Sequence, residues 1–227
     1  MSRAVLFDTE TTGLDPTLGD RIIEIAAIEL FNDLPTGRHF HTLLDPERDI
    51  PSDVVRVHGI TREMLEGKPR FADIADALLE FFGDSMLIAH NAAFDFAFLD
   101  AELARIGRAP LDRARMVDTL QLAKAKFPGL PNNLDALCRR FGIDLSERTT
   151  HNALLDCRLL AKVYVELIGG RQRDLALIGP EEAQIEVPAS IALATRIPRP
   201  IVVSDAEEAA HRAFLAKLKD PIWLKAE

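Results

Sequence analysis

Apolar runs along the chain predict strands, and short connections join the first three of them. Short connections favour antiparallel pairing of neighbouring strands, so we expect these three to form a meander. The fourth run follows a predicted helix, which favours a strand that joins the sheet in parallel. The runs lie at residues 5–7, 22–30, 37–44, 86–89 and, as a minimal fifth strand, 116–117.

Apolar residues at helical spacing predict helices in the remaining segments, most of them followed by a glycine. Asp118, either Asn132 or Asn133, and Asn152 are the expected N-caps of three of these helices, and a further helix starts after Thr61. The longer predicted helices span residues 71–82, 94–106, 119–127, 134–141 and 152–168. Together with the strands they indicate an α/β fold.

The composition changes near the end of the chain. Residues 179–200 contain four prolines and no clear period, which is typical of an extended tether. Ser204 and Glu207 then form a capping box for a helix that reaches about Lys219. We therefore expect three parts, a folded domain over 1–170, a linker over 171–203 and a helical tail over 204–227.

The overall composition is that of an ordinary globular protein, with 48% apolar residues and no membrane-spanning run. The net charge of −9 argues against autonomous binding to duplex nucleic acid, which needs a basic surface. The same net charge is compatible with an enzyme that binds a nucleic-acid end through bound cations, because cations invert the local charge. Cys138 and Cys157 lie in apolar surroundings and suit buried thiols of a reducing cytoplasm.

Two carboxylates, Asp8 and Glu10, follow the first apolar run directly. Side chains alternate across a strand, so these two project from one face with Cβ atoms about 6.5–7 Å apart. Unpaired at the end of a buried strand, they would repel each other, and a divalent cation removes that repulsion. A turn with an aspartate cap is the alternative for an isolated pair. Glu24 in the second strand is a further carboxylate. It is either a buried, hydrogen-bonded structural group, which is favoured, or a group that supports the ligands of the site from behind.

Two further carboxylates lie at helix starts. Asp95 falls in the first turn of the helix after the fourth strand, a position where α/β proteins commonly have their binding sites. It could equally be a negative charge that interacts favourably with the helix dipole. His151 and Asp156 are five residues apart, which places them about 140° apart on a helix. With Asn152 as the N-cap, His151 lies on the preceding loop and is free to fold back toward Asp156.

The motifs D-x-E-T-T-G, H-N-A-A-F-D and H-x-x-x-x-D together resemble the DEDDh family of 3′–5′ exonucleases. The resemblance implies a ribonuclease-H-like mixed sheet of three antiparallel and two parallel strands, flanked by helices. It also implies two divalent ions, Mg2+ or Mn2+, that act in phosphodiester hydrolysis. Asp8 would bridge the ions, Glu10 and Asp156 would complete one, and Asp95 would support the other, partly through water. His151 would be the general base.

The same resemblance implies contacts with the terminal nucleotide. Asp53 matches the family's position for a carboxylate near the 3′-hydroxyl, and plain core packing is the alternative for Val57 and Phe94. The residues implied are Thr11, Thr12, Gly13, Leu14, Asp53, Val57, His58, Asn91 and Phe94.

Further segments of the chain are I-I-E-I, V-H-G-I, F-P-G and N-x-L-D-A-L-C, with Val202, Val203 and Trp223 in the tail. Through these segments, residues 1–170 and the tail resemble the proofreading epsilon subunits of bacterial DNA polymerase III, which act at the replication fork in the cytoplasm. That resemblance implies a tail that binds the polymerase catalytic (alpha) subunit, and a small theta-like subunit as a further partner. Residues 172–177 resemble a peptide that docks on the sliding clamp (beta), with a plain linker as the alternative. The residues implied in these contacts are Gln172, Leu175, Leu177, Phe214 and Trp223.

Two other functions compete with proofreading. A stand-alone 3′–5′ exonuclease on RNA or DNA ends would need no polymerase partner and no tail. The residues do not rank DNA over RNA, because that choice depends on whether a 2′-hydroxyl fits the pocket. A catalytically dead interaction module is disfavoured, because every motif carboxylate and the histidine are present.

Overall fold

A computed structural model describes residues 3–146, 148, 152–169 and 203–219. The chain divides into two compact units, residues 1–176 and residues 177–227, and each is described by itself. His151, the predicted base, lies outside the described residues, as do Gln172, Leu175, Leu177 and Trp223. No helix in the described ranges has the length and apolar character that a membrane span requires.

The first unit is built on a five-stranded sheet in the order β3-β2-β1-β4-β5. The pairs β1–β2 and β2–β3 are antiparallel, whereas β1–β4 and β4–β5 are parallel. This arrangement confirms the predicted mixed sheet. The strands are β1 Arg3–Thr11, β2 Ile22–Phe31, β3 Leu34–Leu43, β4 Met86–Ala89 and β5 Met116–Asp118.

Seven α-helices accompany the sheet in the described part of the first unit. The first of them was not predicted, because it follows Pro51 and has no side-chain cap to mark its start. Asp118, Asn133 and Asn152 cap their helices as expected. The helices are α1 Ser52–His58, α2 Arg62–Leu65, α3 Phe71–Phe82, α4 Ala92–Arg105, α5 Thr119–Lys126, α6 Leu134–Arg140 and α7 Ala153–Leu167.

The third strand begins earlier than predicted. Asn32 and Asp33 form a two-residue turn with φ angles of 50° and 68°, so β3 starts at Leu34. Asparagine and aspartate are among the few residues that enter this region of φ readily, which makes such a tight hairpin turn possible.

Alternation along β1 sends successive side chains into two different cores. Val5 and Phe7 pack with α3 and α4, and the Phe7 ring lies 5.5 Å from Phe82 and 5.8 Å from Phe96. Leu6 packs on the other face with residues of α7. The period of two therefore directs Asp8 toward α7 and Thr9 toward α4.

The second unit contains one helix among its described residues, α8 Asp205–Leu215. Ser204 and Glu207 form the predicted capping box, with Ser204 Oγ 3.3 Å from Glu207 N and 2.7 Å from Glu207 Oε2. The helix ends at Leu215, four residues before the predicted end. Leu215 is buried, and Phe214 is 56% exposed.

Candidate active site

Three carboxylates converge where β1 ends beside the start of α7. Asp8, Glu10 and Asp156 each offer an oxygen atom, and these oxygens lie within 4.8 Å of one another. Asp8 and Glu10 come from one face of β1, and Asp156 from the first turn of α7. Oxygen ligands at this spacing are what hard divalent cations require.

The cluster is electrostatically costly by itself. Burial raises the pKa of Asp8 well above its usual range, and the neighbouring carboxylates Asp95, Glu10 and Asp156 raise it further. Burial also raises the pKa of Glu10 to about 8, and the charge of Asp156 adds to the effect. A bound cation would favour the charged form of each group. The donor set therefore fits a metal site.

Asp95 reaches the site from the opposite face of the sheet. It is buried in the first turn of α4 and accepts a 2.7 Å hydrogen bond from Thr9 Oγ1. Burial raises the pKa of Asp95 to about 7, and the hydrogen bond from Thr9 opposes that rise. Among the described residues Asp95 is not part of the three-oxygen cluster. The charge of Asp95 nevertheless raises the pKa of Asp8, as expected for two neighbouring carboxylates.

Glu24 holds the start of α7 in place. Its Oε1 accepts from Asn152 Nδ2 at 3.0 Å, and its Oε2 accepts from Ala153 N at 3.1 Å. His41 Nε2 lies 2.7 Å from the same Oε1. Glu24 is almost fully buried, so these contacts satisfy its charge. Glu24 is therefore buried and hydrogen-bonded, as the sequence favoured, and its contacts also support the helix that carries Asp156, which is the alternative.

Arg148 is a site residue that the sequence reasoning missed. Its Nε lies 2.6 Å from Asp156 Oδ1 and its Nη2 2.7 Å from Asp156 Oδ2. A third nitrogen, Nη1, donates to Asp135 Oδ1. Asp156 raises the pKa of the guanidinium above its ordinary value. The only signal in the sequence was an arginine three residues before the motif histidine.

The loop after β1 is fixed by its own polar groups. Thr11 Oγ1 donates to Gly13 O at 2.6 Å, and Thr12 Oγ1 donates to Asp20 Oδ1 at 3.2 Å. Asp15 N donates to Asp20 Oδ2 at 3.1 Å. A Cβ atom on Gly13 would lie 2.1 Å from Asp20 Oδ2, so the loop needs glycine there. Both threonine hydroxyls are thus engaged within the loop.

The apolar residues that were predicted to contact the nucleotide differ in how much of each side chain is exposed. Leu14 is 85% exposed and Val57 is 50% exposed, so neither belongs to the core. Phe94 is half-buried and its ring lies 4.8 Å from the ring of Phe98, which gives it a packing role. Asp53 is exposed in the first turn of α1. Leu14 and Val57 therefore offer open apolar surface.

His58 and Asn91, the residues predicted to make polar contacts with the nucleotide, each take part in a hydrogen bond within the protein. Buried His58 accepts a 2.9 Å hydrogen bond from Ile60 N through Nδ1, which leaves Nε2 to carry the proton of the neutral ring. Exposed Asn91 has a φ of 68°, and its N donates to Asp118 Oδ1 at 3.1 Å.

A cavity of about 310 Å³ is lined by two of the three clustered carboxylates, and a second cavity of about 720 Å³ shares lining residues with it. His90 and Asn133 line both. The first is also lined by Asp8, Leu134, Asp135, Arg148, Asp156 and Leu160.

Comparisons with known proteins agree with this geometry. The family model described as Exonuclease matches residues 5–164. A DNA polymerase III subunit epsilon of Rickettsia felis is 53% identical over 179 residues, 78% of each chain. The Escherichia coli K12 protein of the same name is 39% identical over 225 residues, 95% of this chain and 93% of its own. The solved structure titled Exonuclease X in complex with 5′ overhanging duplex DNA is 26% identical, with a TM-score of 0.58 over 74% of this chain and 92% of that one.

Proposed function

We propose that this chain, which belongs to the exonuclease family and within it to the epsilon subunits of DNA polymerase III, is a proofreading 3′–5′ exonuclease. It would remove the terminal nucleotide from a frayed or mismatched DNA end. The observation that carries this proposal is the convergence of Asp8, Glu10 and Asp156 within 4.8 Å. Phosphodiester hydrolysis needs such a group of carboxylates to hold divalent cations at the scissile phosphate.

We propose two divalent ions, Mg2+ or Mn2+, for this site, because its clustered carboxylates are suitable ligands for divalent cations. Asp8, Glu10 and Asp156 would hold them, with Asp95 beside Asp8. When bound, such ions lower the pKa of the attacking water and stabilise charge on the leaving oxygen. The protein's own part is to fix the ligand oxygens, through β1 for two of them and through the Glu24 cap on α7 for the third.

His151 is the proposed general base. It directly precedes Asn152, whose side chain caps α7 by accepting from Leu155 N at 3.0 Å. Asp156 lies in the first turn of the same helix. An imidazole titrates near neutral pH and can take the proton of the attacking water.

An unpaired 3′ end is the proposed substrate. Exposed Leu14 lies within the loop that Asp20 fixes, so its apolar side chain is presented by a backbone that is already in place. Val57 offers a second exposed apolar side chain at the end of α1. Apolar side chains can pack against the face of a base that has left its stack.

The proposed setting is the replication machinery of a bacterial cytoplasm. Residues 204–227 would bind the polymerase catalytic (alpha) subunit, residues 172–177 the sliding clamp (beta), and a theta-like subunit would be a further partner. Two observations support the tail's role: exposed Phe214 on α8, and similarity to the E. coli protein over 95% of this chain. A single amphipathic helix gains stability by burying its apolar face against a partner.

The test is a nuclease assay on single-stranded, mismatched and paired 3′ ends, with and without the polymerase catalytic subunit. Asp8→Ala with Glu10→Ala should abolish metal-dependent release of nucleotides. A matched control, Glu80→Ala with Asp84→Ala, removes two exposed carboxylates of α3 and its following turn and should keep the full rate. A double variant of Asp8 and Glu10 with the wild-type rate would refute the metal site.

A second arm separates the proofreading function from a stand-alone exonuclease. A chain that ends after residue 170 should keep its activity on single-stranded ends and lose binding to the polymerase catalytic subunit. If that truncated chain still binds the polymerase subunit with full affinity, the role assigned to the tail is wrong.

A further inference from the structure

Arg148 places a positive charge directly on one of the three clustered carboxylates. Two of its nitrogens face the two oxygens of Asp156 at 2.6 and 2.7 Å, so the contact is a fork. The side chains of Arg148 and Asp156 are only 9% and 6% exposed. A planar guanidinium that meets a carboxylate in this way forms one of the stronger charge-assisted contacts in proteins.

The contact also fixes where the Asp156 oxygens point. The three-oxygen cluster with Asp8 and Glu10 exists in the same structure in which Arg148 holds Asp156. Two positive groups that share one carboxylate in a site shielded from water repel each other. A divalent cation carries twice the charge of the guanidinium. It is therefore the stronger partner for a cluster of three carboxylates.

Asp135 gives Arg148 a second anchor. Arg148 Nη1 donates to Asp135 Oδ1, and the Asp135 side chain is 37% exposed at the start of α6. Arg148 can thus release Asp156 and still keep a carboxylate partner nearer to solvent. Arg139 meets the same aspartate at 3.7 Å but is itself 71% exposed.

We propose that Arg148 is a positioning residue that serves as the resident counter-charge of Asp156. It holds this carboxylate beside Asp8 and Glu10 until a divalent cation takes the carboxylate over, and it then remains on Asp135. The inference rests on the metal site of the proposed function. Because guanidinium and cation exclude each other, the ion pair stabilises the protein in chelator and lowers its affinity for metal by the same factor.

The experiment measures Mn2+ binding to the full chain without DNA, by calorimetry or by the paramagnetic resonance of free Mn2+. Arg148→Gln should bind Mn2+ about tenfold more tightly than the wild type, within the usual range of coupling between sites. Its Tm in chelator should fall, and the rise in Tm on adding Mn2+ should be larger. Arg139→Gln, which removes an arginine from Asp135 but not from Asp156, should match the wild type in all three measurements.

An Arg148→Gln chain with unchanged or weaker Mn2+ affinity would overturn the inference, because neither result fits a guanidinium that competes with the cation. If Arg148→Gln does not fold, Arg148→Lys takes its place. The lysine keeps the positive charge but cannot contact both oxygens of Asp156 at once. This variant should therefore bind Mn2+ more tightly than the wild type does. An unchanged or lower value for the lysine variant counts against competition in the same way.

The Asp8→Ala, Glu10→Ala variant separates this inference from the metal site itself. If the wild type binds no Mn2+, or binds it no better than this variant, the metal site fails and the role of Arg148 fails with it. If binding requires Asp8 and Glu10 but Arg148→Gln leaves it unchanged, only the role of Arg148 fails.

Discussion

Thr9 Oγ1 donates a 2.7 Å hydrogen bond to Asp95 Oδ1 and so joins β1 to the first turn of α4. Both side chains are buried. The contact lies on the face of β1 opposite to Asp8 and Glu10, and it holds the fourth motif carboxylate at the edge of the metal site. A hydroxyl that donates to a carboxylate favours its charged form, against the burial that raises the pKa of Asp95 to about 7.

Replacing Thr9 with valine should therefore raise the pKa of Asp95 further. The cost should be about 1–3 kcal/mol of unfolding free energy, because a buried acceptor loses its donor. The acid limb of the pH–rate profile for nucleotide release should move to higher pH. Thr9→Ser keeps the hydroxyl and is the control. Identical profiles and urea midpoints for the two variants would contradict this role of Thr9.

Glu24 offers a test of how α7 is positioned. Glu24→Ala should lower the free energy of unfolding by about 2 kcal/mol, because hydrogen bonds to a charged group are lost. It should also slow nucleotide release, since the α7 start that carries Asp156 loses its anchor. Glu29→Ala removes a carboxylate of the same strand that pairs with Arg3 at 2.7 Å. Urea unfolding should show a loss of stability in both variants, but only Glu24→Ala should lose activity.

When a chelator removes metal ions, the raised pKa values of Asp8, Glu10 and Asp95 should make the free energy of unfolding depend on pH. The folded chain keeps protons on Glu10 up to about pH 8 and on Asp95 up to about pH 7, where the unfolded chain has released them. The folded state binds more protons, so this contribution to stability is complete below about pH 4 and is lost as pH rises toward 8. Mn2+ should reverse the trend by favouring the ionised carboxylates.

Urea unfolding at several pH values, in chelator and in Mn2+, measures this effect. Asp8→Asn with Glu10→Gln removes two of the titrating groups and should flatten the slope in chelator. A wild-type chain whose stability in chelator rises between about pH 5 and pH 8 would contradict the direction of these pKa shifts.

Gly13 and Asp20 should behave as a coupled pair. Gly13→Ala forces a Cβ atom to within 2.1 Å of Asp20 Oδ2, so the loop must shift, at a cost of about 1–3 kcal/mol. The KM for a single-stranded end should rise as well, because Leu14 moves with the loop. Adding Asp20→Ala should remove the clash, so a double-mutant cycle should show the combined loss to be smaller than the sum. Simple additivity would mean that the two residues are not in contact.

Local patterns predicted most of the fold. Period-two alternation placed Asp8 and Glu10 on one face of β1, and the capping residues Asp118, Asn133 and Asn152 marked three helix starts correctly. The helix Ser52–His58 escaped prediction because it has neither a side-chain cap nor sufficient length. Short helices take their stability from packing, which periodicity does not report.

The contacts that tune the site escaped prediction for a different reason. Glu24 meets Asn152 and Ala153 across more than a hundred residues, and Arg148 bridges Asp135 and Asp156 from two helices. No spacing rule links such partners, because their proximity follows from the packing of α7 against α6 and against the sheet. Thr9 occupies the variable position of the D-x-E motif and had no predicted role. Its role follows from the hydrogen bond to Asp95.

The hydrogen bond from Ala153 N to Glu24 Oε2 has a consequence for synthesis of the protein. Its two ends are 129 residues apart, and Asp156 follows three residues later. A nascent chain that has exposed the whole of β1 and β2 outside the ribosome still lacks the third cluster ligand and the cap that fixes it. Domains fold largely as units as they emerge. The growing polypeptide therefore cannot assemble the three-carboxylate cluster until α7 has left the exit tunnel.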